Sequence, residues 1–149
     1  PQTMTTLRSW ADAPDEAAQR FGGTARYETE FTLPAGAKAD DWRLELGDVR
    51  EAARVFVNGR EVDLLWSLPF RTNIGAHLRP GKNTLAIDVT NLAANRIRDL
   101  DRRKVEWKKF HEINFVNIFY RPFDASDWPL QPSGLLGPVT LTPLKAAKP

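Results

Sequence analysis

The chain has no cysteine and only two histidines in 149 residues. Without cysteine there is no disulfide, no thiolate nucleophile and no cysteine-held metal site. His77 and His111 are the only imidazoles, and they are too far apart in sequence to form a metal-binding pair on one helix turn. His77, in "GAHLRPG", reads as a surface residue beside a turn, and His111, in "KKFHEIN", stands alone. A Gly-Xaa-Ser-Xaa-Gly elbow and a phosphate-cradling glycine loop are both missing. Ser133-Gly134 in "PSGLLGP" fits a turn into a last strand better than a nucleophile. No run of about 18 apolar residues occurs, so no helix is expected to span a membrane. Charge of one sign is not concentrated either, with 21 basic and 19 acidic residues. The most basic stretch, "RIRDLDRRKVEWKK" (Arg96–Lys109), is broken by acids. It reads as a solvated loop, and no nucleic-acid partner is expected. Lack of cysteine leaves the compartment open, because exported bacterial proteins also do without it. The opening "PQTMTT" has neither an initiator Met nor a signal-peptide pattern. A processed chain or a domain of a longer protein is the expectation.

What is present is alternation. A chain of 149 residues suits a single domain, residues 1–149, with a core of its own. Pro14 to Arg20 reads as one or two helical turns ended by Gly22-Gly23. "ARYETEFTL" then sets Tyr27, Thr29, Phe31 and Leu33 against Arg26, Glu28, Glu30 and Thr32, the period of a strand with one wet face. "WRLELGDV", "FRTNIGAHL", "TLAIDVTN" and "GPVTLTPL" read as further strands. "ARVFVNGREVDLL" reads as a hairpin, because Asn58-Gly59 supplies the positive φ of a type I′ turn. Seven or eight short strands predict an all-β, jelly-roll-like β-sandwich. The segment from Leu92 to Pro132 is irregular and long, so it either carries function or covers a sheet.

Five tryptophans are a generous supply for one small domain. Trp42 opens a strand and belongs with the core, and Trp10 packs down the first helical turns. Trp66, Trp107 and Trp128 fall in connecting segments. An indole face can stack on the apolar face of a sugar, or it can plug the end of a sandwich. Arg71, Asn91, Asn95, Arg96 and Asp99 are the candidate polar contacts. For Asn91 and Asn95 the alternative is hydrogen bonding to loop backbone. For Arg71 it is a carboxylate across the sheet. Asp99 and Asp101 lie beside Arg98, Arg102 and Arg103. Ion pairing on a loop suits them better than a glycosidase pair, which must flank one bond about 5–10 Å apart. No catalytic residue, metal ligand or cofactor motif is assigned. A structural calcium site built from loop oxygens stays open, although no compact Asp/Asn/Gly loop supports it.

"ARYETEFTLP", "LELGDVREAARVFVNGREVDLLWSLPFRTNI", "LRPGKNTLAIDVTNLAANRIRD" and "PSGLLGPVTL" together carry a resemblance. They resemble the galactose-binding-like sandwich of glycoside hydrolase family 2 sugar-binding domains. The form is similar to the C-terminal accessory domain of bacterial α-L-rhamnosidase-like enzymes of glycoside hydrolase family 106. The likeness runs from about Ser9 to Leu144. It departs at Ala93-Ala94, where relatives often carry an aromatic residue. The resemblance implies a non-catalytic module that binds carbohydrate or braces a catalytic domain in the same chain. It implies a rhamnose-containing polysaccharide as the glycan and a periplasmic or secreted bacterial setting.

Overall fold

A computed structural model describes residues 2–109, 116 and 118–146. Nine strands dominate them: β1 (Thr24–Leu33), β2 (Asp41–Glu45), β3 (Asp48–Arg50), β4 (Ala52–Val57), β5 (Arg60–Leu65), β6 (Arg71–Asn73), β7 (Gly81–Thr90), β8 (Gly134–Gly137) and β9 (Thr140–Leu144). Two short α-helices, α1 (Glu16–Gln19) and α2 (Ala94–Arg102), accompany them. All the ladders between strands are antiparallel. One layer is a four-stranded sheet in the order β1-β7-β4-β5. The facing layer is built from a three-stranded sheet, β6-β2-β9, and the pair β3-β8.

The alternating apolar residues meet between the layers. Val55 and Val57 of β4 and Leu85, Ile87 and Val89 of β7 share one core cluster with Leu44, Leu46, Val49 and Leu135 of the facing layer. Trp42 is half-buried and packs against that cluster. The expected β-sandwich is therefore the observed fold.

The N-terminal helix is shorter than the Pro14–Arg20 expectation. Asp15 caps it, its carboxylate accepting from the Ala17 N–H at 2.9 Å. The Trp10 indole donates to the Tyr27 hydroxyl at 2.6 Å and lies parallel to that ring. The N-terminal segment is thereby fastened to β1.

Three expected strands are interrupted. "WRLELGDV" divides into β2 and β3, and "GPVTLTPL" is strand only from Thr140, as β9, after β8 has ended at Gly137. The cause is a backbone crossing: a Cβ at Gly47 would lie 2.3 Å from the carbonyl of Gly137. Both glycines have positive φ there, so each strand kinks at the crossing. "FRTNIGAHL" is strand only from Arg71 to Asn73 and then closes into a one-turn 3-10 helix, Gly75–His77. The Asp41 carboxylate accepts from the Gly75 N–H at 2.9 Å and ends the strand. His77, half-buried, ends this turn.

The irregular segment holds a correction. Part of the stretch read as a solvated loop is the nine-residue helix α2. It has no side-chain N-cap and only one fully buried residue, Asn95. Asn95 and Asp101 bond it to segments distant in sequence. His111 lies outside the described residues.

Candidate functional site

Helix α2 is placed by two asparagines. Asn91 donates to the Phe21 carbonyl at 2.8 Å and accepts from the Gly23 N–H at 2.9 Å, which ties the end of β7 to the turn before β1. Asn95 is 2% exposed. It donates to the Gln131 carbonyl and the Ser133 hydroxyl, and accepts from the Gln131 N–H at 2.8 Å. Its amide ties α2 to the segment that leads into β8. Both asparagines thus take the backbone-bonding alternative.

Asp101 organises the face of α2 toward the long excursion. Its side chain is 6% exposed. It accepts from the Trp107 indole N–H at 2.6 Å and from the Ala125 N–H at 2.8 Å, and Lys108 Nζ lies 3.3 Å away. Burial pushes this carboxyl up, but the Ala125, Trp107 and Lys108 donors outweigh it and hold the carboxyl below the usual range. Lys108 also donates to the Phe123 carbonyl at 2.6 Å. Its ammonium sits 5.5 Å from the ring centroids of both Trp107 and Phe123, a cation–π distance.

Around this carboxylate the aromatic rings interlock. Phe123 stands edge to face with Trp107 at 6.2 Å and with Trp128 at 5.5 Å. Arg98 donates to the Trp128 carbonyl at 2.6 Å. Trp128 keeps 40% of its surface open to solvent. Beside the rings lies an open depression of about 310 Å³, lined by Asp101, Lys104, Val105, Trp107, Phe123 and Asp124. It combines aromatic and charged groups, as a saccharide site does.

Asp99 faces the other way. Arg103 forks onto it with contacts of 2.7 to 3.1 Å, while Arg96 and Arg20 stand 3.8 and 4.0 Å from it. Asp99 and Asp101 are therefore helix residues serving different clusters. Trp66 and Arg71 belong to a third place, the β5–β6 connection and the strand after it. Trp66 is 75% exposed beside Leu68 at 79%. Arg71 reaches Glu45 across the β2–β6 ladder at 3.9 Å, the cross-sheet alternative.

Six of the eight sequence candidates thus fall into three separate places, while Asn91 and Asn95, the latter the buried residue of α2, bond to neighbouring segments. Sequence reasoning gave no site role to Asp101, Lys108, Phe123 or Arg20. Only helical spacing could have signalled the division, since residues 99 and 101 point to opposite sides of a helix. Among the described residues, no group of three or more His, Asp or Glu is placed to hold a metal ion. None of their helices is long and apolar enough to cross a membrane.

Similar proteins place this geometry in context. Residues 12–132 match the model of the family described as glycosyl hydrolase 2 galactose-binding domain-like. A putative beta-glucuronidase of Formosa agariphila is 32% identical across 93% of the chain, which covers 13% of that protein. A beta-glucuronidase of the same bacterium is 25% identical across 83% of the chain, and 14% of that protein is covered. The rhamnosidase from Novosphingobium sp. PP1Y superposes with a TM-score of 0.72 and 32% identity, over 93% of this chain and 12% of that one. The beta-D-glucuronidase of Dictyoglomus thermophilum gives a TM-score of 0.53 and 27% identity, over 59% of this chain and 16% of that one. The chain spans only 13–14% of the length of the curated relatives it matches.

Proposed function

We propose that this chain, which belongs to the glycosyl hydrolase 2 galactose-binding domain-like family, is a non-catalytic carbohydrate-binding module of a larger glycoside hydrolase. The observation that carries the reading is the Trp107–Phe123–Trp128 cluster beside its open depression. A sugar ring in the depression lays its C–H face against Trp107 and Phe123, which line it, and the open part of Trp128 extends the aromatic surface beyond Phe123. Asp124 and Lys104, at the rim, bond its hydroxyls. Asp101 and Lys108 fix the rings, so little ordering is left for the ligand to impose. The parent enzyme in this reading is a bacterial, exported, rhamnosidase-like hydrolase of glycoside hydrolase family 106, with this module toward its C-terminus. Its linked catalytic domain performs hydrolysis, and the module holds a rhamnose-containing polysaccharide near it.

A second reading, a brace for the catalytic domain, is favoured by Trp66 and Leu68. Two large apolar side chains more than 70% exposed on one connection suit burial against a linked domain. Calorimetric titration of the chain with rhamnose-containing polysaccharides separates the two. The module reading expects a Kd of order 1 μM to 1 mM. Trp128→Ala then weakens binding at least about tenfold, roughly 1.4 kcal/mol, while Trp66→Ala leaves it unchanged. A folded chain that binds no glycan in a broad panel would transfer the case to the brace.

A further inference from the structure

We infer that Arg20, Arg96 and Arg103 form a second subsite, on the face of α2 away from Asp101, that takes the oxyanion of an acidic saccharide. That oxyanion is a uronate carboxylate or a sulfate ester. The inference rests on the carbohydrate-binding reading above and names a ligand class for it.

The cluster is built by the fold. Positions 96, 99 and 103 are three, four and seven residues apart, so the helix sets them on one face. Arg20 arrives from the end of α1, and the turn that follows it is bonded to Asn91 on both sides. A Cβ at Gly22 would lie 3.1 Å from the Arg96 Cβ. The missing side chain lets this turn rest against the helix and brings Arg20 to Asp99.

Donors outnumber acceptors there. Asp99, with its side chain 16% exposed, is the carboxylate that all three guanidinium groups approach. Arg103 occupies both of its oxygens at hydrogen-bond length. Arg96 at 3.8 Å and Arg20 at 4.0 Å lie beyond that length. Glu16 also pairs with Arg20 at 3.7 Å, but its side chain is 86% exposed, and such a pair is strongly screened. Each guanidinium carries five N–H donors. The side chains of Arg20, Arg96 and Arg103 are 33%, 47% and 48% exposed, reachable yet partly desolvated. A ligand with two or three oxygens on one atom fits such forks better than a hydroxyl does. One cluster of three, bounded by acids, does not match the row of charges along a nucleic-acid backbone.

The test is a titration followed by nitrogen–proton NMR, including the arginine Nε–H signals, with D-glucuronate, glucose 6-sulfate and glucose. Both anions are expected to shift the Arg20, Arg96 and Arg103 signals and to bind at least about fivefold more tightly than glucose. The tighter of the two tells a uronate from a sulfate ester. The double variant Arg20→Gln/Arg96→Gln should erase the preference, and Trp128→Ala should keep it. If that double variant loses spectral dispersion, Arg96→Lys, which keeps the charge but not the fork, should still lose most of the preference. Equal binding of anions and glucose, or a preference that survives in the folded variants, would overturn the subsite. Polysaccharide binding without anion preference would sink the subsite alone. Anion preference together with polysaccharide binding that Trp128→Ala leaves unchanged would sink the aromatic site alone.

Discussion

Asp101 illustrates what single residues contribute. It receives N–H groups from Trp107 and Ala125 and an ammonium from Lys108, three points on the excursion that follows α2. Asp101→Asn offers one oxygen where two are used and turns an N–H toward a donor. The expected loss is about 1–3 kcal/mol, the cost of a buried polar group left unsatisfied, measured by chemical denaturation. The charge also makes a pH prediction. The folded pKa lies below the unfolded one. The stabilisation is therefore fully present above the unfolded value of about 3.9 and is lost as pH falls through the folded value. Wild-type stability should drop below about pH 4, and in Asp101→Asn this component of the drop should be missing. A variant whose acid profile parallels wild type would show that Asp101 does not titrate as described. In the sequence Asp101 was only one acid among many in a basic stretch. Its partners lie at positions 107, 108 and 125, and no spacing rule joins them.

At the scale of elements, the hairpin was readable and the crossing was not. Asn58 and Gly59 have φ of 50° and 79°, as an Asn-Gly turn requires, because that signal is local. The Asn58 side chain adds bonds to the His77 carbonyl and to Asn83, and Asn83 is fully buried. Gly59→Val should cost roughly 1–3 kcal/mol through backbone strain alone, since nothing lies within 4 Å of a Cβ there. An unchanged denaturation midpoint would contradict that turn geometry. Gly47 is different in kind. A Cβ there would collide with the Gly137 carbonyl at 2.3 Å, so Gly47→Ala combines strain with a clash of backbones. It should destabilise more than Gly59→Ala, which meets the strain without the clash. A smaller loss than in Gly59→Ala would exclude the crossing as drawn. The Gly47–Gly137 contact spans most of the chain, which is why "WRLELGDV" looked like one strand. Helix α2 was hidden for a related reason. Its apolar face is narrow, with Ile97 and Leu100 half-buried among charged residues, and Asn95 and Asp101 tie it to segments distant in sequence.

At the scale of the whole molecule, alternation from Ala25 to Asn91 carried the sandwich, because burial between two layers imposes a period of two. Site residues were less legible. Trp107 and Trp128 do converge, but through Phe123 and a carboxylate that only the folded chain brings near. Asn91 and Asn95 are framework, and Arg71 belongs to the second sheet. The isolated chain is expected not to hydrolyse aryl glycosides, rhamnosides included, because its sequence holds no recognisable acid/base pair or nucleophile; Asp101, in the depression, is engaged by three donors that hold its carboxyl below the usual range, the opposite of what a general acid needs. Turnover that survives repurification and disappears with one carboxylate variant would reverse this. The central claim, that the aromatic cluster is a glycan face, is tested most directly by the five indole N–H resonances. During titration with rhamnose-containing polysaccharides and a wider glycan panel, the Trp107 and Trp128 signals should move with a common saturation curve, while Trp10 and Trp42 stay fixed. If no glycan moves Trp107 or Trp128 in the folded chain, the cluster is a brace and the account is contradicted.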